Sequence, residues 1–237
     1  MGKMPKQTVA VLVILFFLPV VFLLFLYPAK HNYDPLQVVD AQVAELQFFN
    51  TGTPEQVLLN DHITILGFFG TNPLDYAIAA SNLKELVYDK FKGFKNFQIV
   101  IVLPKGSEAE TEALKNEINN YEDMRFWHYT YGTPSDIQTV FNSLAVRKSL
   151  DKDLSTSHVF IIDKDMKQRG RLDDRTEKDI NKNIPIFPLY DYDCIEVAEI
   201  KNKMSDDLRI LFTEYRQKRK GEFDSTTRRE NNLKTNK

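Results

Sequence analysis

The chain has 237 residues, with 31 Lys and Arg against 33 Asp and Glu, a formal charge of −2 and a single cysteine, Cys194. With non-globular ends of roughly 30 and 20 residues set aside, about 180 remain, enough for one well-buried domain. The balanced charge gives no global signal for nucleic acid, and a lone cysteine excludes an intrachain disulfide.

From Thr8 to Tyr27 the sequence is apolar and uncharged. At about 20 residues this run can cross a bilayer as a helix, with Pro19 kinking it. A cleaved signal peptide is the second reading, but it would need a shorter core and a small-residue cleavage site, which LYPAKHNY does not offer. Lys3 and Lys6 precede the run and favour a cytoplasmic N-terminus. The expected layout is a cytoplasmic segment 1–7, a transmembrane signal anchor 8–27, a linker 28–44, a domain 45–220 and a charged, disordered tail 221–237. A bacterial inner membrane, with the domain on the periplasmic side, follows as the working location.

Glu45–Asn50 and Glu55–Leu59 flank Thr51-Gly52-Thr53-Pro54, a hairpin signal. His62–Phe69 is short, β-branched and aromatic, as expected of a strand covered on both faces. Gly70 closes it. Asn72 then suits a helix N-cap, Pro73 the first helical position, and Asp75 can reach back to free backbone N–H groups. Leu74, Ile78, Ala79, Leu83, Leu86 and Val87 recur on one side of the predicted helix.

Asn96–Leu103 is a second apolar strand, and Ser107 with Glu110 caps a charged helix over Glu108–Tyr121. Met124–Tyr131 reads as a strand, and Thr133-Pro134-Ser135-Asp136 opens a helix to Leu144. Leu150–Ser157 reads as a polar loop, His158–Asp163 as a strand, Lys164-Asp165 as a turn and Met166–Leu172 as the hairpin partner. A short helix over Asp173–Asn183, an extended Pro185–Asp193 and a long helix over Ile195–Lys218 complete the order. Strands alternating with helices, ended by a hairpin and a helix, predict a thioredoxin-like three-layer α/β/α sandwich.

The chemistry is sparse. His31, His62, His128 and His158 lack the spacing of helix-mounted ligands. Asp151, Asp153, Asp163, Asp165, Asp173 and Asp174 read as solvated loop tips, and Cys194 as a half-buried apolar residue. Arg216–Lys220 reads as a cationic helix end, with anionic lipid or an acidic partner as the alternative. No phosphate-binding or dinucleotide loop, nucleophile elbow or paired-carboxylate site is present, so no small-molecule substrate and no enzymatic activity are expected.

A strand ending in FFG, then IVIVLP, a Gly-Thr-Pro helix start and FIIDKDMKQRGR together resemble the Sco/SenC proteins over about Glu45 to Arg175. The resemblance implies a membrane-anchored thioredoxin fold and a role in delivering copper to the CuA site of cytochrome oxidase. It also implies a Cys-Pro-x-x-Cys pair on the first strand-to-helix turn and a distant His. Here Asn72 stands at the first Cys, Pro73 matches the Pro, Tyr76 stands at the second Cys and Ser155 at the His. Thiolates and an imidazole suit copper, and this set supplies neither, so the expectation is no metal and no cofactor. The resulting reading is a redox-inactive protein acting by contact with an oxidase subunit or a copper chaperone in respiratory-complex assembly. The alternatives are a weak copper carrier using His158 with non-thiolate donors, and a mixed-disulfide partner acting through Cys194.

Overall fold

The computed structural model describes residues 6–26, 35–40, 42–52, 56–119 and 124–221. In chain order the elements begin with α1 (Lys6–Leu26), β1 (Gln37–Asp40) and β2 (Ile63–Phe69). A 3₁₀ turn (Pro73–Tyr76), α2 (Ala77–Leu83), a π-helical stretch (Lys84–Tyr88) and α3 (Asp89–Phe91) follow as one winding segment. Next come β3 (Phe97–Pro104), α4 (Glu108–Ile118), β4 (Trp127–Gly132), α5 (Pro134–Asn142) and β5 (Ser155–Ile162). The chain ends with β6 (Gln168–Gly170), α6 (Glu177–Asn181), β7 (Tyr192–Asp193), a second π stretch (Glu199–Met204) and α7 (Ser205–Lys220).

The two apolar runs form the middle of the sheet. Every residue of β2 and β3 is buried, and the strands pair in parallel from Ile63 opposite Phe97 to Phe68 opposite Val102. Alternate side chains leave on opposite faces. Ile63, Ile65 and Phe69 join a core with Leu83, Tyr88, Leu114, Leu208 and Leu211, while Leu66 and Phe68 join another with Ile137, Phe141 and Phe160. Helices therefore cover both faces, as the alternation predicted. The strand order is β1-β6-β5-β2-β3-β4, with β7 also pairing to β5. β2, β3 and β4 are parallel; β5 is antiparallel to β2, and β6 to β5. A βαβ unit and a terminal ββα unit, separated by α4, β4 and α5, make this a thioredoxin-like fold.

The FIIDKDMKQRGR motif has a structural role in locking α7 to the sheet. The Asp163 carboxylate accepts the backbone N–H groups of Asp165 and Lys167, closing the β5–β6 turn. Arg169, 2% exposed, pairs with Glu214 of α7 and lies 3.4 Å from Asp163. Arg171 grips Asp207 at 2.8–3.1 Å, and the Tyr192 hydroxyl donates to the same carboxylate at 2.7 Å. Between the arginines, a Cβ on Gly170 would sit 2.6 Å from the Leu189 carbonyl oxygen, so the close backbone approach excludes a side chain. Asp174 accepts from Arg171 at 2.8 Å and pairs with Lys203, so Asp163 and Asp174 are buried partners, which corrects their reading as solvated tips.

Several boundaries differ from the sequence expectation. The expected hairpin over 45–59 is absent among the described residues; Asn50 makes an isolated bridge to Tyr131. Part of the expected linker instead forms β1 on the sheet edge, with Gln37 opposite Gly170. β5 begins at Ser155 rather than His158. The last helix opens with a π stretch, and Val197 is 47% exposed rather than inward. Leu74 and Ile78, expected on the inner face of the first helix, are 41% and 67% exposed. The chain separates into two units, residues 1–34 and 35–237. In the first, α1 presents apolar side chains outward from Val11 to Phe25. The α1 backbone helix runs 21 residues, although among the described residues no helix is long and apolar enough to cross a membrane. The expected cytoplasmic segment lies mostly, and the expected tail almost wholly, outside the described residues.

Candidate functional site

β2 runs out at Gly70, which takes a left-handed φ of +66°. A Cβ there would lie 2.4 Å from the Asp153 carbonyl oxygen and 2.7 Å from the Ser155 Cβ. Only glycine lets the two backbones approach so closely. Thr71 N–H donates to the Asp153 carbonyl at 3.2 Å, and Ser155 pairs with Phe69 across the strands. The start of β5 is thereby pressed against the strand-to-helix turn.

On that turn, Pro73 is buried and leads a 3₁₀ turn. Asn72 is exposed and makes no side-chain cap bond; Asp75 N–H donates instead to the Asn72 carbonyl at 3.1 Å. The reciprocal cap expected from Asn72 and Asp75 is replaced by a backbone turn, because the 3₁₀ winding brings the carbonyl into reach. The same correction applies to Ser107, whose hydroxyl donates to the Pro104 carbonyl rather than capping α4. At Thr133 the capping box with Asp136 forms as expected. Tyr76 stacks on Phe69, centroids 5.2 Å apart and planes within 9°.

The structure thus brings Asn72, Pro73, Tyr76 and Ser155 to one end of the sheet. Their donors are an amide, a phenol whose ring packs on Phe69, and the hydroxyl of a residue 5% exposed. This set does not fit copper, which takes thiolate, thioether or imidazole ligands. Among the described residues no group of three or more His, Cys, Asp or Glu is placed to hold a metal.

His158 lies elsewhere. The neighbouring Val159 belongs to the core beneath α2, so His158 faces with Phe160 toward the α5 side. Its Nδ1 is 2.8 Å from Asp191 Oδ1, and its Nε2 is 3.8 Å from Asp193 Oδ2. Arg147 donates to the Asp191 carboxylate from Nε at 2.7 Å and from its backbone N–H at 3.1 Å, and reaches Glu199 at 3.4 Å. Burial works against the Asp191 carboxylate, but the bonds from His158 and Arg147 outweigh it and hold its pKa below the ordinary value. Sequence reasoning missed this group, since 33 residues separate His158 from Asp191; the only signal was the alternation of Asp191 and Asp193.

Cys194 is fully buried rather than half-buried, on the α2 side with Leu189, Tyr192 and Ile200. Burial, then the nearby charges of Asp193 and Glu199, push its thiol pKa far up. Cys194 and His158 therefore occupy opposite faces of the sheet, and neither joins the turn.

No family model matches the chain, and no curated protein is significantly similar in sequence. Solved structures of similar fold include the soluble domain of Sco1 from Bacillus subtilis, 17% identical, TM-score 0.41, covering 73% of this chain and 92% of that chain. ScoI from Bradyrhizobium japonicum with copper bound is 14% identical, TM-score 0.40, covering 72% and 100%. A peroxiredoxin-like protein from Aquifex aeolicus is 15% identical, TM-score 0.40, covering 56% and 74%. Identities this low concern fold alone.

Proposed function

We propose that this chain is a membrane-tethered, non-enzymatic, Sco-like thioredoxin-fold protein that acts by protein–protein contact in building a respiratory complex. An oxidase subunit or a copper chaperone is the proposed partner. The observation that carries the reading is the side-chain set at the end of β2. Asn72, Tyr76 and Ser155 occupy the positions where the resembled family places two thiolates and an imidazole. Thiol–disulfide exchange needs an accessible thiolate, and Cys194 is sealed in the core.

The proposed anchor is α1. The sequence run Thr8–Tyr27, about 20 uncharged and mainly apolar residues, has the length a helix needs to cross a bilayer. Exposed apolar side chains along the helix support a lipid environment. A bacterial inner membrane, with residues 35–221 on the periplasmic side, is the location proposed.

Two measurements test this. Deleting the gene under copper limitation should lower the assembled haem–copper oxidase seen by difference spectroscopy; unchanged spectra would refute the assembly role. In calorimetric copper titration the wild-type chain should show no tight site, whereas Asn72→Cys/Tyr76→Cys/Ser155→His should acquire one. Copper binding by the wild-type chain that is lost in His158→Ala would instead establish the copper-carrier alternative through His158. That alternative is disfavoured by a ring 7% exposed and already bound to Asp191.

A further inference from the structure

At the end of the sheet opposite the Asn72 turn, an open groove of about 920 Å³ lies where β2 and β3 begin. Five cations line it: Lys95 from the turn before β3, Lys164 from the β5–β6 turn, and Arg216, Lys218 and Arg219 from α7. Two carboxylates, Asp61 and Asp165, face them. The excess of positive charge is local, since the whole chain carries −2.

Part of that excess is compensated. Lys218 pairs with Glu214 at 2.8 Å, and Lys164 lies 3.9 Å from Asp61. Both ammonium groups also lie over the Tyr215 ring, at 4.8 and 5.7 Å. Lys95, Arg216 and Arg219 have no ion-pair partner among the described residues. The helix dipole accounts for Arg219, in the last turn of α7, but not for Lys95 or Arg216. It places only about half a negative charge at the end of α7, and its influence fades within one turn. Lys95 and Lys164 come from turns outside that helix altogether. On the groove wall, the Tyr215 hydroxyl is buried without a hydrogen-bond partner among the described residues.

We propose that this groove binds a soluble anion carrying several phosphate groups. Guanidinium forks and ammonium groups from separate segments can each take one oxyanion edge. A concavity of this volume suits a polyphosphate chain better than a single small ion does. Neither the turn at Asn72 nor the proposed assembly role is involved, so the two readings stand or fall separately.

The experiment is calorimetric titration of the full chain in neutral detergent with tripolyphosphate and with orthophosphate. Tripolyphosphate should bind at one site, more tightly than orthophosphate, and more weakly as salt is raised. Arg216→Glu/Arg219→Glu and, separately, Lys95→Glu should each weaken it by about tenfold or more, the scale of one lost charge-assisted contact. Lys105→Glu, a charge reversal near the other end of the sheet, should leave affinity unchanged. Absence of binding, an equal loss in Lys105→Glu, or association only with vesicles containing phosphatidylglycerol would overturn the proposal.

Discussion

Asp191 is 1% exposed, yet it satisfies His158 from one side and Arg147 from the other. Its lowered pKa has a direct consequence for stability. A carboxylate whose folded pKa is depressed contributes stability above its unfolded value, about 3.9, and loses it as pH falls through the folded value. Asp207 works in the opposite sense: burial outweighs Arg171 and Tyr192, its pKa is raised, and acidification relieves that cost. Asp191→Asn should therefore cost about 2–3 kcal/mol at pH 7, in the range of a lost buried partner that is not wholly dry. The deficit should shrink at a second, strongly acidic pH, because the contribution is lost as pH falls through the lowered folded value. Denaturant melts at the two pH values measure it, and an unchanged deficit would show that Asp191 acts by packing rather than by charge.

The turn after β2 is the element on which the site positions depend. Gly70 holds a left-handed φ while Asp153 and Ser155 crowd the space where a side chain would stand. Gly70→Ala should lose more than about 2 kcal/mol, the strain of a left-handed alanine plus displacement of the β5 start. It should also loosen the stack of Tyr76 on Phe69. Urea melts give the first effect and the Tyr76 ring resonances the second; a change under about 0.5 kcal/mol would mean that the turn relaxes freely. The cap chemistry at Asn72 was legible as a helix start but not as a 3₁₀ turn. Both windings suit Pro at the first position, and packing of Tyr76 on Phe69 is a contact that local sequence does not encode.

For the whole molecule, the division at residues 34 and 35 predicts that residues 35–221 fold without α1. That unit contains the sheet and both cores. Expressed alone, it should be monomeric and melt cooperatively, while the full chain should sediment with membranes and resist carbonate extraction. A truncated form that aggregates, or a full chain released by carbonate, would count against the tether. Much of the architecture was legible because β2 and β3 are covered on both faces, which forces continuous apolar runs. β1 and β7, with four and two residues, carry too little pattern to be read. Their pairing depends on β6 and β5 being in place first.

The sequence by itself determined the alternation of strands and helices, the terminal hairpin and helix, and the absence of cysteine at Asn72 and Tyr76. Local periodicity and residue identity are enough for each of these. Tertiary structure alone decided that Arg169 and Arg171 clamp α7, that His158 and Cys194 lie on opposite faces, and that five cations share one groove. Each of those facts depends on which strands become neighbours, and hydrogen-bonded pairing between distant segments is written in no single stretch of chain.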